Sequence, residues 1–184
     1  TKAAFVIDTE LEGGETKTFD FRMSPHKMEN AFFDFDEVFE VRKKESDEFY
    51  DEIQKDFNCE DEKNVQRQAF AGLLWNKQFY HYKVGKWLNG DPNFPVERNF
   101  EHHVRNVEWK HMNCKDIISM PDKWEYPWFA TWDLAFHCVS FSILDPNFAK
   151  NQLQLLTKEW YMHPNGQLPA YEWDFSDVNP PVHA

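Results

Sequence analysis

Along residues 16–23, "TKTFDFRM", Lys17, Phe19, Phe21 and Met23 alternate with Thr16, Thr18, Asp20 and Arg22. A period of two belongs to a half-buried strand. Residues 3–8, "AAFVID", read as a second strand, and Gly13-Gly14 between the two is a turn signal. Two strands alone do not make a stable sheet. The pair therefore predicts the C-terminal end of a β domain whose other strands lie elsewhere. "SPHKMEN" reads as a linker.

The period then changes. Phe35, Val38, Phe39, Arg42, Ser46, Phe49 and Ile53 recur at helical spacing and predict a long acidic helix over about residues 35–57, with the charge run "RKKESDE" on its solvated face. A second helix is predicted over about 61–78, with Val65, Phe70, Leu73, Leu74 and Phe79 as its apolar face. "FYHYKVGKWL" alternates like a short strand, and "NGDPNFP" is a turn cluster. Residues 97–118 carry no clear period and read as a long loop, a length that in a compact domain goes with function. "IISMP" reads as a short extended piece. Pro127 permits a helix to start just after it, and Phe129, Trp132, Phe136, Val139 and Ile143 form an i, i+3, i+4 stripe expected to be buried. Asp145-Pro146 caps and opens one more helix, with the stripe Ala149, Leu153, Leu156 and Trp160. Gly166 and Pro169 break the chain before an extended, Pro-rich end. There is no βαβ alternation and no glycine-rich phosphate loop. The pattern is mainly α: helices joined as hairpins behind two strands.

Charge and composition remove several function classes. A net charge of −12 argues against a nucleic-acid backbone or an anionic membrane surface as partner. No run approaches the roughly 18 apolar residues of a spanning helix. The N-terminus, "TKAAFVIDTE", lacks the features of a signal peptide, and a cytoplasmic location is expected. Cys59, Cys114 and Cys138 fit neither a disulfide framework nor zinc spacing, so they are expected to be free buried thiols in a reducing compartment. The histidines, including the adjacent His102 and His103, form no metal pattern. No metal and no cofactor are expected.

Aromatic content of 17% changes the picture, because such side chains serve cores and sugar-stacking surfaces equally. It peaks in "MPDKWEYPWFATWDLAFH", residues 120–137, where three Trp surround Asp133. An acid in an aromatic stretch has two readings. It is an early-helix Asp bonded to loop backbone, or it is a proton donor at the floor of a sugar cleft. A general acid must hold its proton at neutral pH, which burial favours and a helix N-terminus opposes. Helical spacing puts Asp133, His137 and Ser140 on one stripe, with His137 expected to be neutral and to reach the carboxyl group. The loop "HPNGQLPAYEW" repeats the mixture, with Gln167 for hydroxyl groups, Tyr171 and Trp173 for stacking, and Glu172 as a second carboxylate. No arrangement for serine or cysteine nucleophilic catalysis stands out.

Three stretches carry a resemblance. "RQAFAGLLWNKQFYHYKVGKWLNGD", "ISMPDKWEYPWFATWDLAFHCVSFSILDP" and "LLTKEWYMHPNGQLPAYEWDFSDVNPPVHA" resemble glycoside hydrolase family 63, in its microbial glucosidase and mannosylglycerate-hydrolase-like branch. The resemblance covers nearly the whole chain from about residue 66. It implies a catalytic domain built as an (α/α) toroid of six helical hairpins, preceded by a β-sandwich domain. Residues 1–24 would be the end of that sandwich, 25–34 a linker, and 35–184 the first part of the toroid. It also implies an inverting hydrolase of α-linked glucosides or related small glycosides, with Asp133 of the "WD" element as general acid. A six-hairpin toroid needs twelve helices and about four are predicted here. The chain is thus expected to be a piece of a longer hydrolase, inactive alone, with the remainder of the catalytic domain as its partner and the general base, a Glu, further downstream. The residues expected to contact sugar are Trp124, Tyr126, Trp128, Trp132, His137, Gln167, Tyr171, Glu172 and Trp173. The alternative is a non-catalytic module of the same fold that binds carbohydrate or a protein.

Overall fold

The computed structural model describes residues 4–90, 92–93, 105–122, 125, 128–172, 175, 177 and 179–183. The chain divides into two compact units, Thr1–Glu52 and Ile53–Ala184.

In the first unit the chain reverses at Gly13-Gly14, where Glu15 N–H donates to Glu12 C=O at 3.0 Å and Gly14 has φ 82°. The reversal brings Phe5 and Phe21 to a ring separation of 5.5 Å. Lys17 ties the arms, donating to Thr9 Oγ1 at 3.1 Å and Glu10 C=O at 2.6 Å. The turn is therefore where the sequence places it. The two predicted strands are not formed among the described residues: the arms make no backbone ladder. Phe5, Phe21 and Met23 are exposed, as a strand face without further strands must be. Arg22 pairs with Asp34, ahead of the first helix, and donates to Ala31 C=O at 2.8 Å. Helix α1, Phe35–Ile53, ends a turn earlier than predicted. It is laced by i, i+3 and i, i+4 pairs such as Arg42–Glu45 and Lys44–Glu48, and only Tyr50 is buried.

The second unit carries the core. Helix α2 is Glu60–Trp75, β1 is Lys77–Lys83, α3 is Val84–Asn89, β2 is Asn113–Ser119, α4 is Thr131–Leu144 and α5 is Pro146–Leu156. Three expectations are corrected here. The second helix stops at Trp75, so Phe79 belongs to β1, with its side chain exposed. "FYHYKVGKWL" is half strand and half helix, turning at Val84, which is fully buried. The extended piece "IISMP" begins too late: the strand, β2, starts at Asn113 inside the stretch read as loop, and its register with β1 pairs Lys77 with Ser119, Tyr80 with Asp116 and Lys83 with Asn113, antiparallel. Its start was hidden because Lys115 and Asp116 interrupt its apolar positions; Asp116 is satisfied by the Tyr161 hydroxyl at 2.9 Å.

Helices α4 and α5 form the expected hairpin. Asp145 ends α4 and caps α5, accepting from Phe148 N–H at 3.0 Å, with Pro146 in the first turn. Lys77 binds the same carboxylate at 2.9 Å and lies 4.1 Å over the Phe148 ring. Gln152 reaches from α5 to the edge of β2, accepting from Ser119 N–H at 3.0 Å and donating to Ile117 C=O at 2.9 Å. Both ends of this buried amide are used, so the helix is pinned to the strand at a fixed height.

The buried face of α4 is not the one predicted. Leu134, Ala135, Cys138, Phe141 and Leu144 face the core, with Phe129 buried just ahead of the helix. Phe136, Val139 and Ile143 are exposed at 57%, 69% and 58%, and Trp132 is half-buried. The helix is apolar on two faces, and period alone cannot say which one meets α5 and the sheet. Cys114 and Cys138 are buried thiols as expected, whereas Cys59 is exposed. Among the described residues no helix is long and apolar enough to cross a membrane.

Candidate functional site

Asp133 lies in the first turn of α4, three residues after the N-cap residue Ala130, which has no side chain to cap with. Backbone from another part of the chain does that work. Thr131 N–H donates to Ala170 C=O at 2.9 Å, and Ala130 and Tyr171 form an antiparallel bridge. The two stretches that share an aromatic and acidic mixture in the sequence are thereby laid side by side. Trp128 meets Tyr171 edge to face, with ring centroids 6.5 Å apart, and Trp132 meets Phe136 at 6.2 Å in the same manner.

Asp133 is half-buried. Among the described residues its carboxylate accepts no hydrogen bond from backbone or side chain. The fold does not consume it as a cap. His137, one turn on, does not reach it; its Nδ1 is instead 2.8 Å from Ser119 Oγ on β2. Burial holds the His137 imidazole below its ordinary range, against the Asp133 charge, which acts the other way. The ring is neutral at pH 7, as expected.

Glu172 is the buried carboxyl of the region, only 1% exposed. Its Oε1 accepts from the Tyr80 hydroxyl at 2.6 Å and from Arg105 Nη2 at 3.0 Å, while Oε2 is buried without a hydrogen-bond partner among the described residues. Burial pushes this carboxyl up to about 8, against the hydrogen bond from Tyr80 and the charge of Arg105. The network continues through β2: burial raises the Cys114 thiol and the Tyr161 and Tyr80 hydroxyls, so all three stay protonated donors. Glu172 is enclosed by side chains of its own fold rather than presented to a cleft.

Gln167 is committed to its own loop. Its side chain donates to Phe175 C=O at 3.2 Å, its N–H to Asn165 Oδ1 at 2.8 Å, and its carbonyl accepts from His163 N–H at 3.0 Å. Trp124, Tyr126 and Trp173 lie outside the described residues. The structure thus gathers Trp128, Trp132, Asp133, His137 and Tyr171 about the start of α4, and turns Glu172 and Gln167 inward.

Three partners escaped sequence reading. Tyr80 had a signal: Tyr80 and Tyr82 are half-buried, while Phe79 and His81, between and beside them, are exposed, so the inward positions of β1 carry hydroxyls. Arg105 and Asn106 sit in a stretch without period. Asn106 adopts φ 65° and bonds Glu172 C=O through Nδ2 and the Tyr82 hydroxyl through Oδ1, the latter at 2.8 Å. Two grooves of about 450 and 540 Å³ lie elsewhere, one lined by Lys77, Asp116 and Lys158, the other by His111, Trp160 and His163. Neither is lined by Asp133. Among the described residues no group of His, Cys, Asp or Glu could hold a metal ion.

Over 152 residues the chain is 57% identical to Uncharacterized protein YMR196W of Saccharomyces cerevisiae. The matched stretch is 82% of this chain and 14% of the yeast protein, so the chain spans about one seventh of that relative's length. No family model matches the chain. No solved structure matches it.

Proposed function

We propose that this chain is part of an inverting glycoside hydrolase acting on α-linked glucosides or related small glycosides, with Asp133 as its general acid. The observation that carries the reading is that Asp133 is spared by the fold. A helix-start aspartate of purely structural use accepts backbone N–H groups, and here the Ala170 carbonyl and the Ala130–Tyr171 bridge organise that end of α4 without it. Its neighbours suit a sugar: Trp128 and Tyr171 present aromatic edges and faces, and neutral His137 puts no charge beside the acid. The resemblance to glycoside hydrolase family 63 supplies the reaction class.

In this reading residues 1–24 end a β-sandwich, 25–34 link, and 35–184 begin an (α/α) six-hairpin toroid. The α4–α5 hairpin would be one of its hairpins, and the exposed stripe of α4 would receive further helices. Inversion needs a second carboxylate about 6.5–9.5 Å from the first, activating water on the opposite face of the sugar. Glu172 does not serve, being buried with Tyr80 and Arg105. The base lies in other parts of a longer protein.

The test is Asp133→Asn in the full-length protein, assayed on α-glucosides and on α-glucosyl fluoride. General acid catalysis is worth roughly 10²–10⁴-fold, so kcat should fall by that much on an ordinary glycoside and by much less on the fluoride, whose leaving group needs no proton. Wild-type rates for Asp133→Asn on both substrates would remove Asp133 from the mechanism. Sugar binding by a wild-type protein that turns over neither would favour a binding module.

A further inference from the structure

We infer that Glu172 is a positioning residue: its hydrogen bonds to Tyr80 and Arg105 clasp the Ala170–Glu172 segment across the first turn of α4 and so fix where Asp133 and Tyr171 stand. The inference rests on the proposed role of Asp133 for its catalytic meaning, and on the geometry alone for the clasp.

The chain of contacts is continuous. Tyr80 on β1 donates to Glu172 Oε1 at 2.6 Å, and Arg105 donates to the same oxygen at 3.0 Å. Asn106 Nδ2 donates to the Glu172 backbone carbonyl. Two residues back, the Ala170 carbonyl receives the Thr131 amide at 2.9 Å, and Tyr171 bridges Ala130. Residues 130 and 131 are the N-cap and first residue of the helix that carries Asp133. Ala130 offers no side-chain acceptor, so among the described residues that end has no side-chain cap. Moving Glu172 therefore moves the acceptor on which α4 starts.

A carboxyl group in this place has a second consequence. The ionisable groups facing Glu172 are Tyr80 from β1, Arg105 from the turn before β2, and Cys114 from β2. The start of α4 contributes neutral Ala130 and Thr131. Arg105 and the hydrogen bonds do not offset the burial of the anion, whose Oε2 has no donor among the described residues. With its proton held up to about pH 8, against an ordinary value of 4.5, the folded chain binds one more proton here than the unfolded chain across that window. Stability from this group is then full below 4.5 and declines as pH rises toward about 8, the reverse of an ordinary carboxylate.

Hydrogen exchange by mass spectrometry on the full-length protein tests the clasp, with Glu172→Ala, Glu172→Gln and Tyr80→Phe. In Glu172→Ala, the peptide covering residues 128–135 should exchange at least ~10-fold faster, with the α5 peptide over 146–156 unchanged, a local and not a global opening. Glu172→Gln, which keeps a carbonyl acceptor for Tyr80, should restore protection, and Tyr80→Phe should lose part of it. Wild-type exchange of residues 128–135 in Glu172→Ala overturns the clasp; if that variant does not fold, wild-type exchange in Tyr80→Phe does so. Between pH 5 and 8 the thermal midpoint of the wild type should fall relative to that of Glu172→Gln. Parallel curves overturn the buried proton. If glycoside turnover is present and depends on Asp133, Glu172→Ala must lower kcat more than it raises KM, and an unaltered kcat overturns the positioning role. If no turnover is found, the reading of Asp133 fails while the exchange result still decides the clasp.

Discussion

Phe136→Ala and Phe141→Ala are one chemical change made on two faces of the same helix, and the structure assigns them very different costs. Phe141 is fully buried; its ring centre is 4.9 Å from that of Phe148, and Lys77 Nζ is 5.1 Å from it. A buried Phe→Ala costs roughly 3–5 kcal/mol through lost transfer energy and the cavity left behind. Loss of the Lys77 contact pushes toward the upper end, by about 0.5–1 kcal/mol. Phe136 is 57% exposed and its ring partner is Trp132. An edge-to-face pair is worth about 0.5–1.5 kcal/mol, so truncation should cost about 1 kcal/mol. The difference, roughly 2–4 kcal/mol, is readable in urea titrations of the 184-residue chain followed by circular dichroism, provided the slopes agree between variants. Equal costs, or a larger cost at Phe136, would mean that α4 presents its other face to the core and would refute the packing described here. Repeating Phe136→Ala in the full-length protein tests the toroid separately. If further helices cover this stripe, its cost rises into the range of roughly 3–5 kcal/mol.

Asp145→Ala removes both the cap of α5 and the partner of Lys77, and should cost about 1–2 kcal/mol at neutral pH in thermal unfolding. The Lys77 hydrogen bond, then that from Phe148 N–H, holds the Asp145 carboxyl below its ordinary value of 3.8. Its contribution is therefore full above that value and lost as pH falls through the lower folded value; a gap between wild type and variant that widens in acid would contradict this. His137→Gln should flatten the acid leg of the stability curve, because burial keeps the folded imidazole neutral below 6.5 while the unfolded one protonates. Wild type and variant with equal slopes below pH 6.5 would contradict the buried neutral ring.

What could be read from the chain in advance depended on how many constraints each residue carried. The α4–α5 hairpin was legible because Asp145-Pro146 allows one local geometry, and that geometry recurs in the cap to Phe148 N–H. The Gly13-Gly14 reversal was legible for the same reason. Ladder formation in residues 3–23 was not, since a strand's period states which side faces inward and not whether partners are present. Only the end of β2 was legible, residues 117–119 falling in the extended "IISMP"; its start was hidden by exposed Lys115 and by Asp116, which is tolerated there by the Tyr161 hydroxyl. The face of α4 was missed because two apolar stripes, one through Phe136 and one through Phe141, satisfy the same helical period.

The site divides between two carboxyls. An aromatic stretch in the sequence directs attention to the acid inside it, and Trp128 and Trp132 flank Asp133. The residue that the fold encloses is Glu172, which has one aromatic on either side in sequence but meets Tyr80, Arg105 and Asn106 from segments 66–92 positions away. Sequence neighbours in a helix point in different directions, so an aromatic stretch does not bury its own acid. The useful criterion is expenditure. Glu172 commits Oε1 to two donors and holds a segment in place; Asp133 accepts no hydrogen bond among the described residues and lies in the first turn of α4, one turn before neutral His137. An acid with no hydrogen bond among the described residues is a candidate for chemistry, and one whose carboxyl is bonded from two other segments is a candidate for architecture. That division makes opposite demands on substitution. Glutamine should be tolerated structurally at 172, where it preserves an acceptor, and asparagine at 133 should leave the fold intact while removing the proton that cleavage of an unactivated glycoside requires.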